Sequence, residues 1–149
     1  MAKETRKSRG RSLGVTQMAR LPSRGHERAS LTLRVDLGAY GALGPGKIRL
    51  LESIASEGSI SGAGRVMGMS YRRAWLLVDN INAMFAEPAV ETRHGGAQGG
   101  RAVLTEFGHK IVTVYREVEA DAEAAVRSKL RTIQKALADT PPAATSDAD

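Results

Sequence analysis

The sequence predicts a mainly α-helical fold that carries one small β-hairpin and continues into a long C-terminal helix. Three observations predict it. Residues 58–85 read as two helices joined by a tight turn. Residues 90–104 hold two short extended runs around a glycine-rich tip. Over residues 107–137 apolar side chains recur every three or four positions, a long stripe for a chain of 149 residues.

In the helix pair, Ile60, Ala63, Val66 and Met67 fall at helical spacing and give the first helix one apolar face. Gly68-Met69-Ser70 makes the turn, because glycine tolerates positive φ and the serine hydroxyl can cap the next helix. The second helix carries Ala74, Leu77, Val78, Ile81, Met84 and Phe85 as an apolar stripe. Tyr71, Arg72 and Arg73 fall in its first turn and on its opposite side. A short helix, a turn and a second helix led by basic residues make a helix-turn-helix, whose second helix enters the DNA major groove by its N-terminal end. An ordinary helical hairpin in a core has the same local pattern, so the rest of the chain decides between them.

The formal net charge is +6, and residues 1–30 hold eight Lys/Arg against two Glu, so the excess sits in the N-terminal tail. That tail has few large apolar residues and no sustained periodicity, so it cannot offset its ordering entropy and is expected to be disordered. Lys3, Arg6, Lys7, Arg9 and Arg11 could graze phosphates there, or simply be solvated. No run approaches the roughly 18 apolar residues of a membrane span, and no apolar signal-peptide core opens the chain. The absence of cysteine excludes disulfides and thiolate metal sites and fits a cytoplasmic protein.

Order should begin near Ser30. Leu31, Leu33, Val35 and Leu37 alternate with Thr32, Arg34 and Asp36, the period of a half-buried strand. The glycines of residues 38–46 break the chain, and Pro45 opens a helix to Glu57 with Ile48, Leu51, Ile54 and Ala55 on one face. Pro88 prevents the helix that follows the turn from continuing. The runs Val90–Arg93 and Arg101–Leu104 then form the hairpin, whose seven-residue tip contains four glycines. A hairpin directly after a recognition helix is a wing, and Arg93, His94 and Arg101 place cations where sugar-phosphate backbone would pass. Thr105 can cap the last helix, expected over residues 106–137. Phe107, Ile111, Val114, Val118, Ala122, Val126, Leu130, Ile133 and Leu137 make its stripe, the spacing of a helix that pairs with another helix. The surplus apolar surface is expected to bury against the same helix of a second copy, the alternative being one long helix that wraps its own domain, with Ala122, Ala124 and Ala125 marking a weakly packed stretch.

Strand, helix, helix-turn-helix, wing and long helix together form a winged helix-turn-helix with a linker helix. The tokens GSIS at 58–61, SYRRAW at 70–75, the glycine-rich tip at 94–100 and AVLTEFG at 102–108 resemble the DNA-binding domain of the molybdate-responsive ModE regulators, itself similar to LysR-type winged helices. The resemblance covers roughly residues 31 to 135. It implies a dimer on a two-fold-related operator, with Ser59, Ser61, Ser70, Tyr71, Arg72 and Arg73 near the groove and Arg93, His94 and Arg101 on the wing. It also implies subunit contact through Phe107, Ile111, Val114, Val118, Val126, Leu130 and Ile133. Members that sense molybdate carry C-terminal β-barrel modules. This sequence stops after its helix, so the expectation is a DNA-binding member with no cofactor, stand-alone or served by a separate effector-binding protein. The domain division is then a basic tail over 1–29, the winged helix over 30–104, the dimerisation helix over 105–138 and a polar tail over 139–149.

Other chemistry falls away. The glycines at 62, 64 and 68 lie in a helix and its turn, without the preceding strand that a dinucleotide loop needs. His26, His94 and His109 have no partners at metal-ligand spacing. Asp79 and the acidic run at 117–123 lack a pocket signature, and no enzymatic activity is expected. Trp75 suits either stacking near DNA or anchoring the recognition helix. The competing functions are a winged helix reused as a protein-interaction module, and an architectural DNA binder driven by the basic tail.

Overall fold

A computed structural model describes residues 28–93 and 100–140. Residues 1–27 of the basic tail, residues 94–99 of the wing tip with His94, and residues 141–149 lie outside the described residues. The chain is built from β1 (Val35–Asp36), β2 (Ala42–Leu43), α1 (Pro45–Glu57), α2 (Ile60–Val66), α3 (Tyr71–Met84), β3 (Val90–Arg93), β4 (Arg101–Leu104) and α4 (Glu106–Lys135). This is a mainly helical winged helix followed by a long C-terminal helix. No helix among the described residues is long and apolar enough to cross a membrane.

The first strand is shorter than expected. Burial alternates along residues 31–37 as the pattern predicts, but only Val35 and Asp36 pair, antiparallel to Leu43 and Ala42. Their partner strand and the 3₁₀ turn Gly38–Tyr40 occupy the stretch that the glycines had marked only as a break. Upstream, the Ala29 N–H donates to the Gln134 side chain and the Leu33 carbonyl accepts from the Tyr115 hydroxyl, so this segment lies along α4.

Helix α1 is the centre of the core. Pro45 occupies its first turn, where a missing N–H costs nothing, and Gly58 closes it at φ +70°, a left-handed cap open to glycine. It packs on α2, α3, β4 and α4, so its buried surface is wider than one stripe. Leu50 is fully buried beside Ile48, Leu51 and Ile54, whereas Ala55, expected inside, is exposed. Across its outer side, Arg116 of α4 forks onto Glu52 with bonds of 2.8 and 2.9 Å and reaches Glu119 at 2.7 Å. The Glu52 bonds are the main reason that the guanidinium pKa is raised.

Candidate nucleic-acid interface

Two short helices set the geometry of the site. Ser59 caps α2 by accepting the Gly62 N–H at 2.9 Å, and Ser70 caps α3 by accepting the Arg73 N–H at 3.2 Å. Between them Gly68 turns the chain at φ +66°. Helix α2 approaches α3 closely at Gly64, where an added Cβ would lie 3.3 Å from the Met69 carbonyl oxygen and 3.5 Å from the Ala74 Cβ. Ile60 and Ala63 face the core, but Val66, expected on that face, is 62% exposed. The helix ends at Val66 and the chain turns there, so Met67 takes the inward position instead.

Helix α3 buries Ala74, Val78, Ile81 and Met84, with Leu77 and Phe85 packed beside them. Its N-terminal turn is turned outward: Ser70, Tyr71, Arg72 and Arg73 are all exposed. Trp75 is half-buried against the core and meets Tyr71 edge-on at 6.3 Å, so it anchors the helix and backs the exposed tyrosine. Among the described residues the ion pairs involve only Arg34 and Arg116 among the cations, so Arg72 and Arg73 stand at a positive helix end with no acidic partner.

The wing is fastened to this frame at its base. In β3 and β4 Val90 faces Leu104, Glu91 faces Val103, Thr92 faces Ala102 and Arg93 faces Arg101. Val90, Ala102 and Leu104 are buried, and the Ala102 N–H donates to the Gly58 carbonyl at the end of α1 (3.0 Å). The other face of the ribbon carries Arg93 and Arg101 directly opposite each other, both exposed. Like charges in that register repel, and an anion lying over them would relieve the repulsion. Asn82 and Thr105, neither of which the sequence reading singled out for this, fix the connection between α3 and the wing. Asn82 bonds Ala89 and Val90, while the Thr105 hydroxyl donates to the Pro88 carbonyl at 2.7 Å and accepts the Gly108 N–H.

Comparison with known proteins adds sequence to this geometry. The chain is 42% identical over 98 residues to the molybdenum transport protein ModE of Azotobacter vinelandii, a match covering 66% of this chain and 36% of that one. It is 43% identical over 77 residues to the molybdenum-pterin-binding protein MopA of Rhodobacter capsulatus, covering 52% and 29%. It is 39% identical over 71 residues to the DNA-binding transcriptional dual regulator ModE of Escherichia coli K12, covering 48% and 27%. The matched stretch is homologous to the ModE regulators. It is consistent with the ModE DNA-binding domain, and the chain spans about a third or less of the length of these relatives. No protein-family profile matches the chain.

The remaining candidates divide by location. Ser61 is exposed on α2, next to the capping Ser59, whose hydroxyl is already engaged locally. On α4, Phe107 meets Phe85 edge-on at 5.3 Å and Ile111 packs on the core, so both are partly covered by their own domain. Val114, Val118 and Ile133 are exposed, and Val126 and Leu130 are half-buried. Tyr115, which the stripe omitted, is buried against the domain, as is Gly108.

Proposed function

We propose that the chain is a homodimeric, sequence-specific DNA-binding transcriptional regulator. Helix α3 enters the major groove by its capped N-terminus, Arg72 and Arg73 read guanine edges or grip phosphate, and Ser70 and Tyr71 bond alongside. The wing lies over the adjoining backbone, where Arg93 and Arg101 meet phosphate. The exposed side of α4 pairs with its counterpart in a second copy and sets the spacing of the two recognition helices.

The observation that carries this reading is the pair Arg72 and Arg73, exposed and without acidic partners at the N-terminus of a helix whose opposite face is fully packed. A helix end of that kind suits a polyanion better than an apolar docking partner. The like-charged cross-strand pair on the wing points the same way.

Selection of bound duplexes from a random pool tests the reading. The wild-type chain is expected to enrich a palindrome with half-sites about one helical turn, roughly 10 base pairs, or a multiple apart. The double variant Arg72→Ala/Arg73→Ala should lose that preference in a gel shift while remaining folded. Affinity should also fall steeply as salt rises, because several cation–phosphate contacts release counterions. Unchanged operator binding by the double variant, or affinity indifferent to salt, would replace this reading with a protein-docking one.

A further inference from the structure

The outward face of α3 is not uniformly polar. Arg72, Leu76, Asp79 and Ala83 follow one another at i, i+4, i+7 and i+11, and all four are exposed, directly opposite the buried row of Ala74, Val78, Ile81 and Met84. Leu76 is 58% exposed in the middle of that face, one turn beyond Arg72. Trp75, Leu77 and Val78 pack inward around it, so its position is fixed by the helix and its side chain is left to solvent.

We propose that Leu76 is a specificity-determining residue that recognises thymine through its C5 methyl group. The inference rests on the reading of α3 as the groove-entering helix. Within the major groove the thymine methyl is the only apolar feature that the four bases present, and an aliphatic side chain is its natural complement. Four residues of helix advance about 6 Å. Successive base pairs are about 3.4 Å apart. A thymine contacted by Leu76 therefore lies within about two base pairs of the position that Arg72 contacts. Asp79, on the next turn of the same face, would be repelled by phosphate, so the reading surface ends near Leu76.

The test uses the full wild-type chain and the duplex it selects from a random pool. Each thymine of one half-site is replaced in turn by deoxyuridine, which removes the C5 methyl and nothing else, and Kd is measured by fluorescence anisotropy. One position is expected to weaken binding roughly threefold to fivefold, the effect of withdrawing one buried methyl group. The same replacement should have no effect on Leu76→Ala, whose helix content, read by circular dichroism, should match wild type because the position is exposed. The inference is overturned alone if the chain selects a sequence but every uracil is tolerated, or if the penalty persists in Leu76→Ala. Both it and the parent reading fail if no sequence is selected. The uracil scan on the wild-type chain stands even if the variant does not fold.

Discussion

Asn82 holds Val90 by both sides of its backbone: its Nδ2 donates to the Val90 carbonyl at 3.0 Å and its Oδ1 accepts the Val90 N–H at 3.0 Å. The same oxygen accepts the Ala89 N–H at 2.9 Å. One side chain near the end of α3 thus fixes the first residues of the wing. The two elements that would touch DNA are locked together by a contact that itself touches none.

Replacing Asn82 by Leu keeps its γ-branched skeleton and strips all three bonds. Leaving half-buried backbone groups without partners should lower stability by about 2–3 kcal/mol. Urea unfolding would register this as a lower midpoint with an unchanged slope. A variant as stable as wild type would mean that the wing base is held by its strand pairing alone.

Gly108 carries the second expectation, and its sign is unusual. In an open helix position Gly→Ala stabilises by up to about 1 kcal/mol. At Gly108 the added Cβ would fall inside the radius of the Ala89 carbonyl oxygen and 3.0 Å from its carbonyl carbon. That carbonyl also accepts the Thr105 N–H at 3.0 Å, so it cannot retreat without losing a bond. Gly108→Ala should therefore cost about 1–3 kcal/mol through overpacking. Gly46→Ala, in the first turn of α1 with nothing within 4 Å of the new Cβ, should be neutral or stabilising. Thermal melts of the two variants would separate them in opposite directions.

These two residues also show where sequence reading stops. The helices, the hairpin and the turn were legible because each repeats a local period or a local cap, as in Ser70, Thr105 and the row from Ala74 to Met84. Asn82 and Gly108 were not, because their roles depend on Ala89, which reaches them only after the chain has folded back. β2 is two residues long, too short for alternation to register. Tyr115 was missed for a different reason. A period near 3.5 selects one seam, whereas α4 has two: Gly108, Val112 and Tyr115 face its own domain, while Val114 and Val118 face away. Leu76 stood in view as the one large aliphatic residue off the α3 stripe, but a lone exposed leucine is ordinary on a protein surface.

Tyr115 makes stability sensitive to alkali. It is 3% exposed and its hydroxyl donates to the Leu33 carbonyl. Burial, then the Glu119 charge, pushes the phenol pKa above the ordinary tyrosine value, with Arg116 opposing. The folded state therefore favours the neutral phenol. Its contribution is fully present below the ordinary tyrosine pKa and is lost as pH rises through the raised one. Tyr115→Phe should cost about 1 kcal/mol at neutral pH. The gap between variant and wild type should then shrink as pH rises above the ordinary tyrosine pKa of about 10, followed by urea unfolding at each pH. A gap that widens with pH would contradict the assignment.

The exposed side of α4 yields the last expectation. The helix is 30 residues long, about 45 Å. Phe107, Ile111, Val112 and Tyr115 attach its first turns to the domain, while Val114 and Val118, each 44% exposed, lie outward at the start of a row that continues through Val126, Leu130 and Ile133. A row of that period buried against its copy would cover the apolar surface that the domain, packed on the first turns, and the segment Ala29–Leu33, lying along the helix, leave exposed. Val118→Asp places a carboxylate in the proposed seam and disturbs nothing inside the domain, because the residue is already exposed. Sedimentation should show wild-type dimers and Val118→Asp monomers of equal helix content. Operator affinity should drop when dimerisation is lost, since a monomer engages one half-site only. A variant that remains dimeric would move the subunit contact off this face, and a wild-type monomer would leave the recognition helices without a fixed spacing.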